Sequence, residues 1–266
     1  MNVSSFEQIS SSARYLKIDV PVAEIATFAE SKNLSEAEIV SIRTLFEYLE
    51  ERKRDITVST LLKTSRLPQK QQKTFENFDF SNIHGKDIEL LKNLPTLSTL
   101  YARNNLAFIG PQGVGKTHLA MVFGRECCLR GMKAYYLKAS ELNDRLTKAR
   151  KYDREGAVVN GLVKPTCLII DEVGRCIFDE ANTRLFFDIV DRRNEKEGPN
   201  CMIFTSNKQP NTWRRYFTEE DSLLCALDRI FDEATVYIFK GKSYRGRKLK
   251  TVALEAGIEK SLTKPE

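Results

Sequence analysis

Residues 106–117 read LAFIGPQGVGKT: a short apolar strand, then a glycine-rich turn in which Gly110 to Thr117 match G-x-x-x-x-G-K-[ST] in full. Glycines let successive backbone N–H groups turn inward around an anion without side-chain clashes. The helix that begins near Gly115 aims the positive end of its dipole at the same point. Lys116 has the reach for β- and γ-phosphate oxygens, and the Thr117 hydroxyl is placed to ligate Mg²⁺. The run after it, HLAMVFGREC at 118–127, carries the apolar residues of a packed helix. Strand, phosphate loop and helix in this order predict an α/β fold around a polyphosphate site.

A second informative stretch is CLIIDE at 167–172. Four apolar residues bury the strand and leave Asp171 at its carboxyl end, beside the loop, where it can hold Mg²⁺ through water. Glu172 stands one residue further on, where a general base for an attacking water belongs. Its presence favours hydrolysis over passive nucleotide binding. MIFTSN at 202–207 supplies a third strand end, with Thr205, Ser206 and Asn207 short and polar just past an apolar run. Asn207 is a candidate for orienting the water or contacting the γ-phosphate.

Strand candidates are Leu106–Ile109, Ala134–Leu137, Cys167–Ile170, Met202–Thr205 and Thr235–Phe239. The first four leave room for a crossover helix each, so a parallel five-stranded sheet with helices on both faces is expected. Residues 1 to about 70 contain no glycine and read as helices. Ser35 and Glu38 form a capping box, and Ile39, Ile42, Leu45, Phe46 and Leu49 recur at helical spacing. An earlier helical stretch, interrupted at Pro21, carries Val22, Ile25 and Phe28. The expected organisation is a small all-α unit over 1–63, a linker over 64–82, an α/β domain over 83–250 and a tail over 251–266.

The chain has 266 residues, 41% of them hydrophobic, which suits a buried core and excludes wholesale disorder. No apolar run approaches a membrane span, and the N-terminus has no secretory pattern, so a cytoplasmic protein is expected. Six cysteines without C-x-x-C spacing read as buried free thiols rather than a zinc or redox site. Lys+Arg exceed Asp+Glu by 42 to 36, and the excess is uneven. Residues 240–250 hold six cations and no acid, and 51–73 hold seven against two. A polyanion partner fits these clusters.

Together these residues resemble the AAA+ ATPases of the initiator and helicase-loader clade, and within it the IstB family of insertion-sequence helpers. The likeness rests on FENFDF at 75–80, GPQGVGKTHLA at 110–120, the acidic pair at 171–172, TSN followed by W-x-x-x-F at 205–217, ALDRI at 226–230 and GKSYR at 241–245. It implies an AAA+ P-loop ATPase using ATP and Mg²⁺. The nucleotide would be held by Gly110, Pro111, Gln112, Gly113, Val114, Gly115, Lys116, Thr117 and His118, the last fitting the family's GKTH pattern. The metal would be held by Thr117 and Asp171. By the same resemblance Asn207 takes the sensor-1 role, Arg229 is the arginine finger acting on a neighbouring subunit's nucleotide, and Arg245 is similar to the sensor-2 arginine. One departure is Arg175–Cys176, where IstB-like proteins more usually show an aromatic.

The resemblance also implies a homo-oligomer with ATP at subunit interfaces, bound to double-stranded DNA and delivering it to a DDE-type transposase. In this clade a helix after the second strand contacts DNA. The corresponding stretch carries Arg145, Lys148, Lys151 and Arg154 at three-residue steps, a helical stripe suited to phosphates. No base-reading motif appears, so largely sequence-independent binding is expected. A replicative helicase loader of the DnaC/DnaI type is the alternative, and a nucleotide-dependent scaffold without turnover a third reading.

Overall fold

A computed structural model describes residues 3–69, 74–78, 80, 88–218, 227–232 and 234–241. The chain opens with α1 (Val3–Tyr15), α2 (Val22–Ser31) and α3 (Glu36–Thr64). Pro21 precedes α2, and the Ser35–Glu38 capping box starts α3, as the sequence predicts. Ile39, Ile42 and Phe46 pack against Phe6, Ile9 and Ala29. Leu45 and Leu49, expected on the same face, are instead 54% and 40% exposed. The reason is angle, not length: α1 runs on as far as Glu50 and Arg54, but at 3.6 residues per turn Leu45 and Leu49 fall to one side of the stripe through Ile39, Ile42 and Phe46.

The end of α3 belongs to a different core. Leu61 and Leu62 pack with Leu67 against the sheet layer. Ser65 and Leu67, at the head of the stretch expected to act as a linker, are buried, and Ser65 O accepts a hydrogen bond from Tyr136 N–H. Two short helices, α4 (Ile88–Lys92) and α5 (Ser98–Tyr101), lead into β1 (Leu106–Ile109). Then follow α6 (Lys116–Leu129), β2 (Ala134–Lys138), α7 (Ala139–Lys151), α8 (Glu155–Val163), β3 (Cys167–Val173), α9 (Glu180–Glu195), β4 (Cys201–Ser206) and β5 (Thr235–Ile238).

The strands form one five-stranded parallel sheet in the order β2-β3-β4-β1-β5. Side chains alternate between two cores, which is why the central strands read as unbroken apolar runs. Leu106, Phe108, Ile169 and Ile203 face α6, whereas Ala107, Ile170, Met202 and Phe204 face the side built by α7, α8 and α9. The expected fold class is therefore the observed one. Among the described residues no helix is long and apolar enough to cross a membrane. The described cysteines are free, and all but Cys176 are buried.

At the amino end of the sheet a fully buried arginine ties three segments together. Arg193 of α9 donates to the carbonyls of Leu162, Val163, Pro165 and Cys201 and to Asn200 Oδ1, over 2.6–3.1 Å. Burial lowers its pKa to about 10, so it remains a cation, and it sits against the negative end of α8. Arg193→Met should leave these carbonyls unpaired and cost about 3 kcal/mol of stability. The measurement is urea unfolding, and a loss below about 1 kcal/mol would sink this assignment.

Candidate functional site

The strand order assembles the site. Because β4 lies between β1 and β3, the loops leaving these three strands meet at the carboxyl end of the sheet. The first is the phosphate loop. Gly110 has φ 150°, and a Cβ there would run into the carbonyl oxygen of Phe239, whose N–H donates to Ile109 O at 2.7 Å. Only glycine allows that approach. Gly115, at φ 98°, caps α6 from the left-handed region, and Lys116 is the first helical residue. The buried Lys116 side chain curls back over the loop. Its Nζ donates to Gly110 O (2.8 Å), Pro111 O (2.6 Å) and Asn207 Oδ1 (2.8 Å).

The second contribution comes from β3, where the register against β4 shifts between Ile170 and Val173. Within this bulge Asp171 turns inward, 2% exposed, and Glu172 takes a left-handed φ of 61°. Asp171 Oδ1 accepts from Thr117 Oγ1 at 2.7 Å and from Thr205 Oγ1, and its Oδ2 accepts from Tyr136 OH at 2.7 Å. Thr205 serves both acids, since its hydroxyl oxygen also accepts from the Glu172 N–H at 3.1 Å. Burial, followed by the neighbouring Asp171 charge, raises the Tyr136 phenol far above its usual range, so it is a neutral donor.

Glu172 points the other way, into a cavity of about 290 Å³. Its Oε1 pairs with Arg175 at 2.7 Å and its Oε2 with Lys138 at 3.4 Å. Burial pushes its pKa up, but the Arg175 hydrogen bond and the Lys138 charge outweigh this and hold it below the usual carboxylate range. The cavity is walled by Lys116, Lys138 and Arg175 against that single carboxylate, with Gln112, Gly113 and Thr117 beside them. Lys116 at the start of α6, Lys138 at the end of β2 and Arg175 just beyond β3 together fit a polyphosphate, and the Thr117 hydroxyl with Asp171 offers the hard oxygens Mg²⁺ takes.

Of the residues the sequence singles out, Gly110 to Thr117, Asp171, Glu172 and Asn207 come together here. Val114 is buried, Pro111 and Gln112 are exposed, and His118 meets Phe78 edge-on, ring centroids 5.2 Å apart. Arg229 does not line the cavity; it pairs with Asp191 at 2.6 Å and lies over the Phe187 ring. Arg245 lies outside the described residues. The cationic stripe differs from its expected form. It is not one helix: α7 ends at Lys151, Asp153 adopts φ 50°, and the Arg154 N–H closes back on Ala149 O at 2.9 Å. Lys148, Lys151 and Arg154 are exposed, whereas Arg145 is drawn inward by its bond to Tyr135 OH at 2.6 Å.

Sequence reasoning missed Tyr136 and Lys138, and treated Arg175 only as a departure. A pair of tyrosines in a buried strand, AYYLK, was the available signal, because a buried phenol needs a partner.

The family model for IstB-like ATP binding protein matches residues 15–252. A protein of insertion sequence IS5376 in Geobacillus stearothermophilus, described as ATP-binding, is 36% identical over 226 residues, covering 84% of this chain and 86% of that one. A second, from insertion sequence IS232 of Bacillus thuringiensis subsp. berliner, is 28% identical over 91% of this chain and 95% of its own length. The crystal structure of the DnaC helicase loader superposes with a TM-score of 0.52, over 63% of this chain and 97% of that one, at 15% identity. That likeness is one of fold, the AAA+ P-loop architecture. Its sequence match from residue 15 to residue 252 and its close relatives make this chain a member of the IstB-like ATP-binding protein family.

Proposed function

We propose that this chain binds and hydrolyses ATP with Mg²⁺, assembles on double-stranded DNA as a homo-oligomer, and presents that DNA to a DDE-type transposase. The observation that carries the reading is the pair of carboxylates in the β3 bulge. Asp171 is turned inward to the Thr117 hydroxyl and Glu172 outward into a cationic cavity. Lys116, now on loop carbonyls, is within reach of phosphate oxygens bound there, and Asn207 steadies it. Thr117 and Asp171 would hold Mg²⁺, which would neutralise charge during phosphoryl transfer. Glu172 accepts the proton of the attacking water. Arg229, paired with Asp191 within its own subunit, acts on a neighbour's nucleotide in this reading. The relatives' insertion-sequence origin supports a transposase partner over a helicase.

Three sets of outcomes are expected, the first on the nucleotide chemistry. Lys116→Ala should abolish ATP binding, measured by equilibrium titration. Glu172→Gln should keep ATP binding, DNA assembly and co-purification with a DDE-type transposase, while kcat falls about 100-fold or more. Normal hydrolysis by Glu172→Gln refutes the base assignment, and ATP-independent behaviour of both variants refutes the function.

The second outcome concerns pH. Arg175 and Lys138 depress the Glu172 pKa, so the base stays ionised into acid and its contribution is lost only as pH falls through that lowered value. Arg175→Ala should raise that pKa and move the acid limb of the kcat profile to higher pH. An unmoved limb counts against this coupling.

The third concerns DNA. Replacing Lys148, Lys151 and Arg154 with alanine should weaken binding equally across sequences and flatten the slope of log K against log salt by about 1 per lost phosphate contact. An unchanged slope excludes the stripe as the DNA surface.

A further inference from the structure

The Asp171 carboxylate is held by more than the phosphate-loop threonine. Its Oδ1 has two hydroxyl donors, Thr117 and Thr205, and its Oδ2 is taken by Tyr136 of the neighbouring strand at 2.7 Å. The register explains the geometry. Lys138 is the partner of Asp171 across the β2–β3 pair, so Tyr136 lies two residues earlier and on the same face of the sheet. A tyrosine is long enough to bridge that two-residue offset along the strand. Its ring is packed in the core with residues of α6, such as Ala120 and Phe123, and the residue is only 9% exposed. Its hydroxyl donates, and the carboxylate oxygen accepts.

We propose that Tyr136 is a positioning residue for the metal-binding carboxylate. It grips Oδ2 from the side opposite the loop, which fixes the carboxylate plane and keeps Oδ1 aimed at the Thr117 hydroxyl. This rests on the reading of Thr117 and Asp171 as Mg²⁺ ligands. Packing alone would be met by phenylalanine, which differs by one oxygen; the hydroxyl is what reaches the acid. Without it, Asp171 keeps one oxygen buried with no donor, and the carboxylate rotates toward other partners. That rotation weakens the site for a divalent cation. Outer partners of metal-ligating carboxylates carry effects of about 10- to 100-fold in metal affinity.

The test is a double-mutant cycle on the full chain, read by binding of a fluorescent, non-hydrolysable ATP analogue at varied Mg²⁺. Tyr136→Phe should raise the half-saturating Mg²⁺ concentration about tenfold and leave the affinity measured in EDTA unchanged. A merely structural role would move both affinities together. In an Asp171→Asn background, Tyr136→Phe should add nothing, because the charge it serves is gone. A half-saturating concentration within about twofold of wild type, or equal effects in both backgrounds, overturns the proposal. If Asp171→Asn itself leaves the Mg²⁺ dependence intact, the metal reading fails, and Tyr136 with it. Should Tyr136→Phe be too unstable to titrate, thermal unfolding reads the same cycle: Asp171→Asn must then restore folding, and failure to do so also overturns the proposal.

Discussion

A carboxylate almost withdrawn from water must be surrounded by donors, and at Asp171 these come from three different elements. Thr117 arrives on the first turn of α6, Thr205 on β4 and Tyr136 on β2. An unpaired buried acid costs several kcal/mol, so the three segments are held in a fixed relation by the need to satisfy one side chain. The glycines of the phosphate loop let α6 begin close enough for Thr117 to take part. The order β2-β3-β4 does the same for the other two donors. Sheet topology and site geometry thus answer to the same charge.

The adjacent acid shows what the bulge achieves. In a regular strand Asp171 and Glu172 would point to opposite faces of the sheet, and Glu172 would be lost to the far core. The extra residue and the left-handed φ at Glu172 keep both acids at the loop edge, with a strain on the order of 1–3 kcal/mol. Thr205 offsets part of it by accepting the Glu172 N–H. The opposite end of the sheet is built differently. There, a buried guanidinium and closely spaced thiols fill the interior, and burial raises Cys127 and Cys201 well above the ordinary thiol range.

Much of the fold was legible because its signals are local. Apolar runs ended at polar residues, and each observed strand lies within three residues of its expected bounds. The phosphate loop and the acidic pair announce themselves through glycines and through side chains at strand ends. What escaped depends on neighbours in space. Nothing in AYYLK says that β2 will lie beside β3, and only that adjacency brings Tyr136 and Lys138 to the two acids. Likewise, equal spacing of four cations reads as one helix, but backbone closure at Asp153 divides it, and Tyr135 captures Arg145. The exposed Leu45 and Leu49 lie to one side of the stripe that α1 and α2 cover, and periodicity does not report how wide that cover is.

The continuity of α3 has a mechanical side. It starts within the small N-terminal core and ends against β2 and α6, an unbroken 29 residues or about 44 Å of helix. A segment of that kind behaves as a rod, not a tether: it transmits rotation and displacement instead of absorbing them. Force applied to the amino-terminal helices therefore arrives at Ser65, whose carbonyl is bonded to the backbone of Tyr136. The strand that borders the acidic pair is also the anchorage of a lever whose other end lies far from the nucleotide pocket.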